Sequence, residues 1–166
     1  MLLAFDAHYR EDHSKLVAAV FQKWEDKRAA EIKSWRFGKV PDYQPGQFYL
    51  RELPLLERAL EDFDLSQIKT IIIDGYVYLD ATGRRGLGGY LYTKLAGQIP
   101  VVGVAKSYFR DNNAEVVLRG KSKKPLYVTA SGMPPKTAAD KVANMAGPYR
   151  IPDILAQVDQ ETKLVN

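Results

Sequence analysis

Residues 70–80 read TIIIDGYVYLD, and the first five of them decide the fold of the chain. Three consecutive isoleucines form a continuous apolar run, which predicts a strand buried on both faces, as in the parallel part of an α/β sheet. The run ends at Asp74, directly before Gly75. A carboxylate at the end of a buried strand is either a turn residue or a ligand, and the rest of the sequence has to distinguish between them.

The chain before this strand predicts an antiparallel meander. Strands are expected over residues 2–5, 15–24 and 29–40, with short charged turns between them. Residues 41–49 are rich in proline, glycine and aromatic residues and predict a loop. A helix is expected over 51–63, because its leucines recur every three or four residues and Pro54 is tolerated only in a first turn.

The chain after this strand alternates helices with strands. Helices are expected over residues 86–97 and 134–147, and strands over 100–106 and 125–131. Three antiparallel strands followed by parallel strands, with helices on both faces of a mixed sheet, are the order of the ribonuclease H-like α/β fold. We therefore expect one domain of this class over residues 1–166.

Composition narrows the possible functions. The 166 residues are 46% hydrophobic, which suffices for one compact core, and they include no cysteine. Disulfides and thiolate metal sites are therefore excluded, and a reducing, cytoplasmic compartment is expected. The N-terminus has neither a basic leader nor a long apolar span, so no membrane anchor is expected. No heptad pattern is present, and we expect a monomer.

Lysine and arginine residues recur through the second half of the chain, from Arg84 to Lys141. This distribution is compatible with a polyanionic partner such as nucleic acid. Charge alone favours a simpler explanation, a solvated basic face on a soluble protein.

Three acidic residues are predicted to converge. Asp6 is expected to end the first strand and Asp74 the first parallel strand, and these strands are neighbours in the expected order. Glu52 falls on the apolar stripe of its helix, where a carboxylate needs a partner. Taken singly, Glu52 fits a helix N-terminus and Asp74 fits a turn equally well. Their joint placement favours an all-oxygen site for a hard cation such as Mg²⁺, which activates water for attack on a phosphodiester.

Six segments, in this order, resemble the endonuclease V family of metal-dependent nucleases that recognise deaminated purine, chiefly inosine. They are FDAHY (5–9), YQPGQFYLRELP (43–54), IIIDG (71–75), PVVGVAKS (100–107), KPLYVTASG (124–132) and YRIP (149–152). The second segment is the most specific, and the third alone would be weak. The resemblance implies cleavage on the 3′ side of inosine in DNA or RNA, leaving 3′-hydroxyl and 5′-phosphate ends.

The same resemblance implies roles for individual residues. The metal ligands, for Mg²⁺ or Mn²⁺ in its place, would be Asp6, Glu52 and Asp74, and Lys106 matches the lysine near the scissile phosphate. The residues that match the wedge loop separating the strands beside the lesion are Tyr43, Gln44, Pro45 and Gly46, although a rigid turn explains them equally well. Further contacts to nucleic acid are expected from Arg84, Lys121 and Ser122.

The chain also departs from the family pattern. It begins on the first strand, without the usual helical lead, and Asp80 with Arg84 stands where the family has histidines. The expected active-site histidine near the last core strand is replaced by Met133, and the arginine usual after RIP is replaced by Ala156. His8 and His13 are expected to be ordinary exposed or hydrogen-bonded side chains.

Two alternatives to the enzyme remain open at this stage. One is a non-catalytic module that binds inosine or a nucleic-acid structure, and that has kept the fold but lost turnover with Met133 in place of the histidine. The other is a ribonuclease H-like nuclease for branched DNA. The acidic residues argue against the first, and the segment from Tyr43 to Glu52 argues against the second.

Overall fold

The computed structural model describes residues 1–42, 47 and 49–165. The strands in this part of the chain are β1 (Leu2–Tyr9), β2 (His13–Phe21), β3 (Glu31–Gly38), β4 (Thr70–Asp74), β5 (Val101–Ala105), β6 (Glu115–Val117) and β7 (Leu126–Ser131). The α-helices are α1 (Tyr49–Leu60), α2 (Leu87–Lys94), α3 (Pro135–Ala143) and α4 (Asp153–Lys163). The described strands form one mixed sheet in the order β3-β2-β1-β4-β5-β7-β6. The expected α/β, ribonuclease H-like architecture is confirmed.

The isoleucine run forms the centre of this sheet. β4 lies between β1 and β5 and runs parallel to both. Ile71, Ile72 and Ile73 are at most 1% exposed. Burying an isoleucine side chain fully contributes about 1.5–3 kcal/mol, so this strand is a main source of the stability of the sheet.

Alternation along the strands divides the core into two layers. Leu3 and Phe5 pack with residues of α1 and α2 on one face of the sheet. Leu2 and Ala4 pack with residues of α3 and α4 on the other face. The period of two in a β-strand produces this division, and it also decides which face each later polar residue of β1 points to.

One end of the sheet differs from the sequence prediction. β7 pairs with β5 in the antiparallel direction, and the short strand β6, which was not predicted, pairs with the outer edge of β7. Parallel pairing needs a crossover, usually a helix. The chain between β5 and β7 is described throughout and contains no helix, so β7 returns antiparallel.

Two predicted boundaries are wrong in ways that affect the site. Asp6 does not end β1, because the strand continues to Tyr9 through its pairing with β2. Helix α1 begins at Tyr49 rather than near Arg51, so Pro54 lies in its second turn. The ring of Pro54 removes one helical hydrogen bond, and the carbonyl that loses its donor belongs to the half-exposed Leu50, where water is accessible.

The glycines of α2 permit close packing of this helix on the chain that follows β4. A Cβ atom on Gly88 would lie 2.7 Å from Cγ2 of Val77, and one on Gly89 would lie 2.6 Å from the Val77 carbonyl oxygen. In the described part of the chain, no helix has the length and apolar character required to cross a membrane.

Candidate active site

The parallel pairing of β1 with β4 places Asp6 and Asp74 beside each other. Phe5 lies opposite Ile73 in the last paired register, so the next residue of each strand is an aspartate at the same level of the sheet. Because side chains alternate along a strand, both aspartates share the face of Ala4 and Ile72, which α3 and α4 cover. Asp6 is only 8% exposed.

Asp6 and Asp74 form a row across β1 and β4, and Lys106 continues this row at the end of β5, the third of the parallel strands. Asp74 lies opposite Val104 of β5, and Lys106 follows two residues later on the same face. The Nζ atom of Lys106 lies 3.6 Å from Oδ2 of Asp74. Burial lowers the pKa of Lys106, but the carboxylates of Asp74 and Asp6 outweigh burial and raise the pKa above its ordinary value. The lysine is therefore held as a charged ammonium group.

The surroundings of Asp6 change its pKa strongly. Burial raises its pKa to about 7, and the negative charge of Asp74 acts in the same direction. Lys106 opposes this change, as does the N–H of Ala7, which donates a hydrogen bond to Oδ1 at 2.8 Å. A carboxyl group whose pKa is raised by burial and by a specific charged neighbour is a candidate for a functional site.

Glu52 approaches from the opposite face of the sheet, in the first turn of α1. Its side chain is 4% exposed, in agreement with its predicted place on the apolar stripe. Burial, followed by the charges of Asp6 and Asp74, raises the pKa of Glu52 well above its ordinary value. Its Oε2 atom has no hydrogen-bond partner among the described residues. A buried carboxylate oxygen in this position costs free energy unless a proton or a cation satisfies it.

Tyr9 and Arg51 lie next to Glu52. The guanidinium carbon of Arg51 lies 3.7 Å from the centre of the Tyr9 ring, a cation–π contact. Burial and the neighbouring charge of Glu52 raise the pKa of Tyr9.

The structure adds a fourth carboxylate that the sequence analysis missed. Asp159 on α4 raises the pKa of Asp6 by its charge and raises that of Lys106. Partial burial raises the pKa of Asp159 itself, but Lys163, 3.0 Å away, and Lys106 outweigh burial and lower it. The signal was present in the sequence, since Ile154, Leu155, Val158 and Thr162 recur at helical spacing after Pro152.

A small cleft opens beside the two aspartates and the lysine. Its polar lining comes from Asp6, Asp74 and Lys106, and its apolar lining includes Leu155 and Val158 of α4. One wall is therefore charged and the other apolar. A wall without hydrogen-bonding groups strengthens electrostatic interactions at the charged side, because it keeps the local dielectric constant low.

The residues present fit a hard divalent cation by their chemistry. As the side chains stand, no three carboxylate or imidazole groups in the described part of the chain are close enough together to hold a metal ion. The donor set of Asp6, Glu52 and Asp74 is nevertheless all oxygen, and one buried Glu52 oxygen is unpaired. Mg²⁺ prefers such ligands and keeps several of its waters, so it does not need a closed protein cage.

The other predicted nucleic-acid contacts lie on turns. Arg84 is exposed, and its N–H donates to Asp80 Oδ1, which also accepts from Thr82, so Asp80 stabilises a turn. Lys121 is exposed and Ser122 is half-buried in the turn before β7. The predicted wedge residues Tyr43, Gln44, Pro45 and Gly46 lie outside the described residues.

The structure places Met133, which stands where the resemblance implies an active-site histidine, away from the candidate site. Because β7 is antiparallel to β5, Ser131 lies opposite Val101, at the end of β5 away from Lys106. Met133 follows at that opposite end of the sheet and packs against the core. Of the two histidines, His13 pairs with Asp12 at 2.6 Å, and His8 is half-buried on β1.

Comparison with known families agrees with this geometry. The family described as endonuclease V matches residues 1–130, which include Asp6, Glu52, Asp74 and Lys106. The chain belongs to the endonuclease V family. It is thereby assigned to a family of nucleases, and the predicted resemblance is confirmed. A comparison with curated proteins found no match.

Solved endonuclease V structures share the fold of this family member. The endonuclease V of Ciona intestinalis in complex with a 23-mer DNA containing an inosine followed by a ribo-adenosine has a TM-score of 0.83 and 16% identity, over 98% of this chain and 83% of that chain. The Bacillus subtilis endonuclease V has a TM-score of 0.77 and 18% identity, over 97% and 78%. A protein of unknown function from Archaeoglobus fulgidus has a TM-score of 0.60 and 13% identity, over 97% and 95%.

Proposed function

We propose that this endonuclease V family member is a metal-dependent endonuclease that hydrolyses a phosphodiester bond on the 3′ side of inosine in nucleic acid. The observation that carries the proposal is the row of Asp6, Asp74 and Lys106 across three parallel strands, near the buried Glu52, whose Oε2 atom has no hydrogen-bond partner among the described residues. Family membership supports the nuclease class. The inosine-containing DNA bound to the Ciona intestinalis relative supports the choice of lesion.

In this proposal Asp6, Glu52 and Asp74 hold Mg²⁺, or Mn²⁺ in its place. The bound ion supplies a water of lowered pKa and stabilises negative charge on the phosphate. Lys106 donates from its ammonium group to a phosphate oxygen, and Asp74 keeps that group charged. The apolar side chains of α4 exclude water from the opposite side of the cleft.

Asp159 is placed to orient groups on the α4 side of the cleft. Its charge acts on both Asp6 and Lys106. We expect Asp159→Asn to lower kcat while leaving binding of the nucleic acid within a few-fold of wild type, because the charge of Asp159 acts on Asp6 and Lys106 and the residue is not one of the proposed nucleic-acid contacts. Single-turnover cleavage and fluorescence anisotropy separate these two quantities. Equal loss of kcat and affinity would contradict this placement.

Selectivity for inosine is proposed to begin with extrusion of the base. Flipping a nucleotide out of a duplex costs a few kcal/mol, least where the base pair is already weak. The segment of Tyr43, Gln44, Pro45 and Gly46 is proposed to separate the strands, since stiff apolar wedges unstack base steps. Contacts to the backbone are proposed for Arg84, Lys121 and Ser122, and these should weaken steeply with salt.

The first experiment is cleavage of end-labelled oligonucleotides, as DNA and as RNA, each with one inosine or one adenosine at a fixed position. The reactions contain Mg²⁺, Mn²⁺ or a chelator. We expect cleavage on the 3′ side of inosine, dependent on metal, and absent in Asp74→Asn. A matched control is Asp42→Asn, because Asp42 is an exposed aspartate outside the cleft.

The outcomes of this experiment separate the candidate functions. Cutting of the inosine strand alone establishes the enzyme and identifies its preferred nucleic acid. If inosine strands stay intact but are bound more tightly than adenosine strands, the protein is a binding module. If inosine changes neither cutting nor binding, the proposed substrate is wrong.

A further inference from the structure

Arg150 joins its own segment, which precedes α4, to two other segments of main chain beside the cleft. Its Nη2 atom donates hydrogen bonds to the carbonyl oxygen of Lys106 and, at 3.0 Å, to that of Pro125. Its Nε atom donates to the carbonyl oxygen of Lys124 at 3.1 Å. One side chain from the segment before α4 therefore joins the end of β5 to the turn that leads into β7.

The carbonyl groups that Arg150 contacts need a donor from outside the sheet. The pairing of β5 with β7 ends where Ala105 lies opposite Tyr127, so Lys106 is one residue beyond the ladder. Pro125 immediately precedes β7 on the other strand. A buried carbonyl oxygen without a donor destabilises the fold, and a planar guanidinium group has donors enough for several acceptors.

A second side chain, that of Tyr76, holds the main chain that follows Lys106. The hydroxyl group of Tyr76 donates to the Ser107 carbonyl oxygen at 2.7 Å and accepts from the N–H of Phe109 at 3.1 Å. Tyr76 follows Asp74 by two residues. The backbone that carries the Lys106 side chain is thus fixed by Arg150 on one side and by Tyr76 on the other.

We propose that Arg150 is a positioning residue that sets the Lys106 ammonium group against Asp74 and the scissile phosphate. The Nζ atom of Lys106 lies 3.6 Å from Asp74 Oδ2. The lysine side chain is flexible, so fixing its backbone narrows the set of positions that the ammonium group can take. Arg150 also ties that backbone to the lysine-rich turn 121–124. The role of Lys106 in this inference rests on the proposed function, whereas the fixing of its backbone does not.

A double-mutant cycle tests the inference. Arg150→Lys keeps the charge but replaces the planar fork by a single ammonium group, which cannot reproduce all three hydrogen bonds. We expect kcat on the inosine substrate to fall by about 10- to 100-fold with KM changed less than three-fold, since a displacement of about 1 Å can cost about 100-fold. In Lys106→Ala, adding Arg150→Lys should have almost no further effect, because Arg150 acts through Lys106. Arg110→Lys, at an exposed arginine, is the matched control and should leave kcat unchanged.

Additive losses in the double mutant would overturn the inference, because they would show that Arg150 does not act through Lys106. Amide hydrogen exchange gives a readout that does not depend on turnover. In Arg150→Lys we expect faster exchange in segments 106–109 and 121–124 and unchanged exchange in β1 and β4. Exchange identical to wild type in those segments would also overturn the inference. If the wild-type protein does not cleave inosine strands, the proposed function fails, and exchange alone decides whether Arg150 fixes the Lys106 backbone.

Discussion

In the metal-free protein, ionised Asp6 destabilises the folded state because its carboxylate is buried. Replacing it with a neutral side chain should therefore raise the free energy of unfolding by a measurable amount. Burial and the charge of Asp74 raise the pKa of Asp6 from its ordinary value of 3.8 to about 7. In the unfolded chain the carboxyl group loses its proton near 3.8, whereas in the folded protein it keeps that proton up to about 7. The folded state therefore binds more protons over this range, and its stability falls as the pH rises through it.

The magnitude follows from the two pKa values. A difference of one in pKa is worth about 1.36 kcal/mol, so the ionisation of Asp6 destabilises the folded protein by about 4 kcal/mol above pH 7. Asp6→Asn removes this cost while keeping the shape of the side chain. We expect this variant to be more stable than wild type by a few kcal/mol at pH 8 and about equal to it at pH 4. For a chain of this size, each kcal/mol corresponds to about 2–4 °C in Tm.

Thermal unfolding by circular dichroism, in a chelating buffer between pH 4 and pH 8, measures this difference. The matched control is Asp42→Asn, which makes the same substitution at an exposed aspartate outside the cleft. A Tm of Asp6→Asn at or below that of wild type at pH 8 would refute the reasoning. So would a difference between the two proteins that does not grow with pH.

Three further predictions concern the metal, the nucleic acid and the core. Mg²⁺ should stabilise the wild-type protein at pH 8, by about 2.7 kcal/mol at a concentration one hundred times Kd, and should therefore raise its Tm. It should have little effect on Asp74→Asn, and a Mg²⁺ titration in the same thermal assay measures both. Lys121→Ala should reduce the slope of log binding constant against log salt by about 1, measured by anisotropy at several salt concentrations. Gly88→Ala should destabilise the protein by about 1–3 kcal/mol in urea unfolding, because the new Cβ would lie 2.7 Å from Cγ2 of Val77 and force α2 away. Gly38→Ala, whose Cβ would have no neighbour within 4 Å among the described residues, should not cause a comparable loss.

Much of the fold could be predicted because its signals are local. The isoleucine run at 71–73 identified the central strand, and helical spacing identified α1 and the burial of Glu52 on its inner stripe. Asp6 and Asp74 could be paired from the order of the elements alone. In each case a periodicity of two or 3.6 residues, or the order of elements along the chain, carries the information.

The features that the sequence did not reveal depend on contacts between distant segments. The direction of β7, and with it the position of Met133 at the opposite end of the sheet from Lys106, follows from the missing crossover helix and from pairing across the fold. Asp159 acts on Asp6 and Lys106 only because α4 packs across β1. Arg150 finds its acceptors in residues at least 25 positions away in sequence.

The sequence by itself therefore determined the class of the fold, the strand that forms its centre and the acidic residues that lie at one end of it. Only the tertiary structure decided which side chains complete the cleft, since that depends on how helices and strand ends pack after the chain has folded. The physical reason is that periodicity reports which face of an element is buried, whereas hydrogen bonds such as those of Arg150 and the charge coupling of Asp6 to Asp159 exist only between elements already brought together.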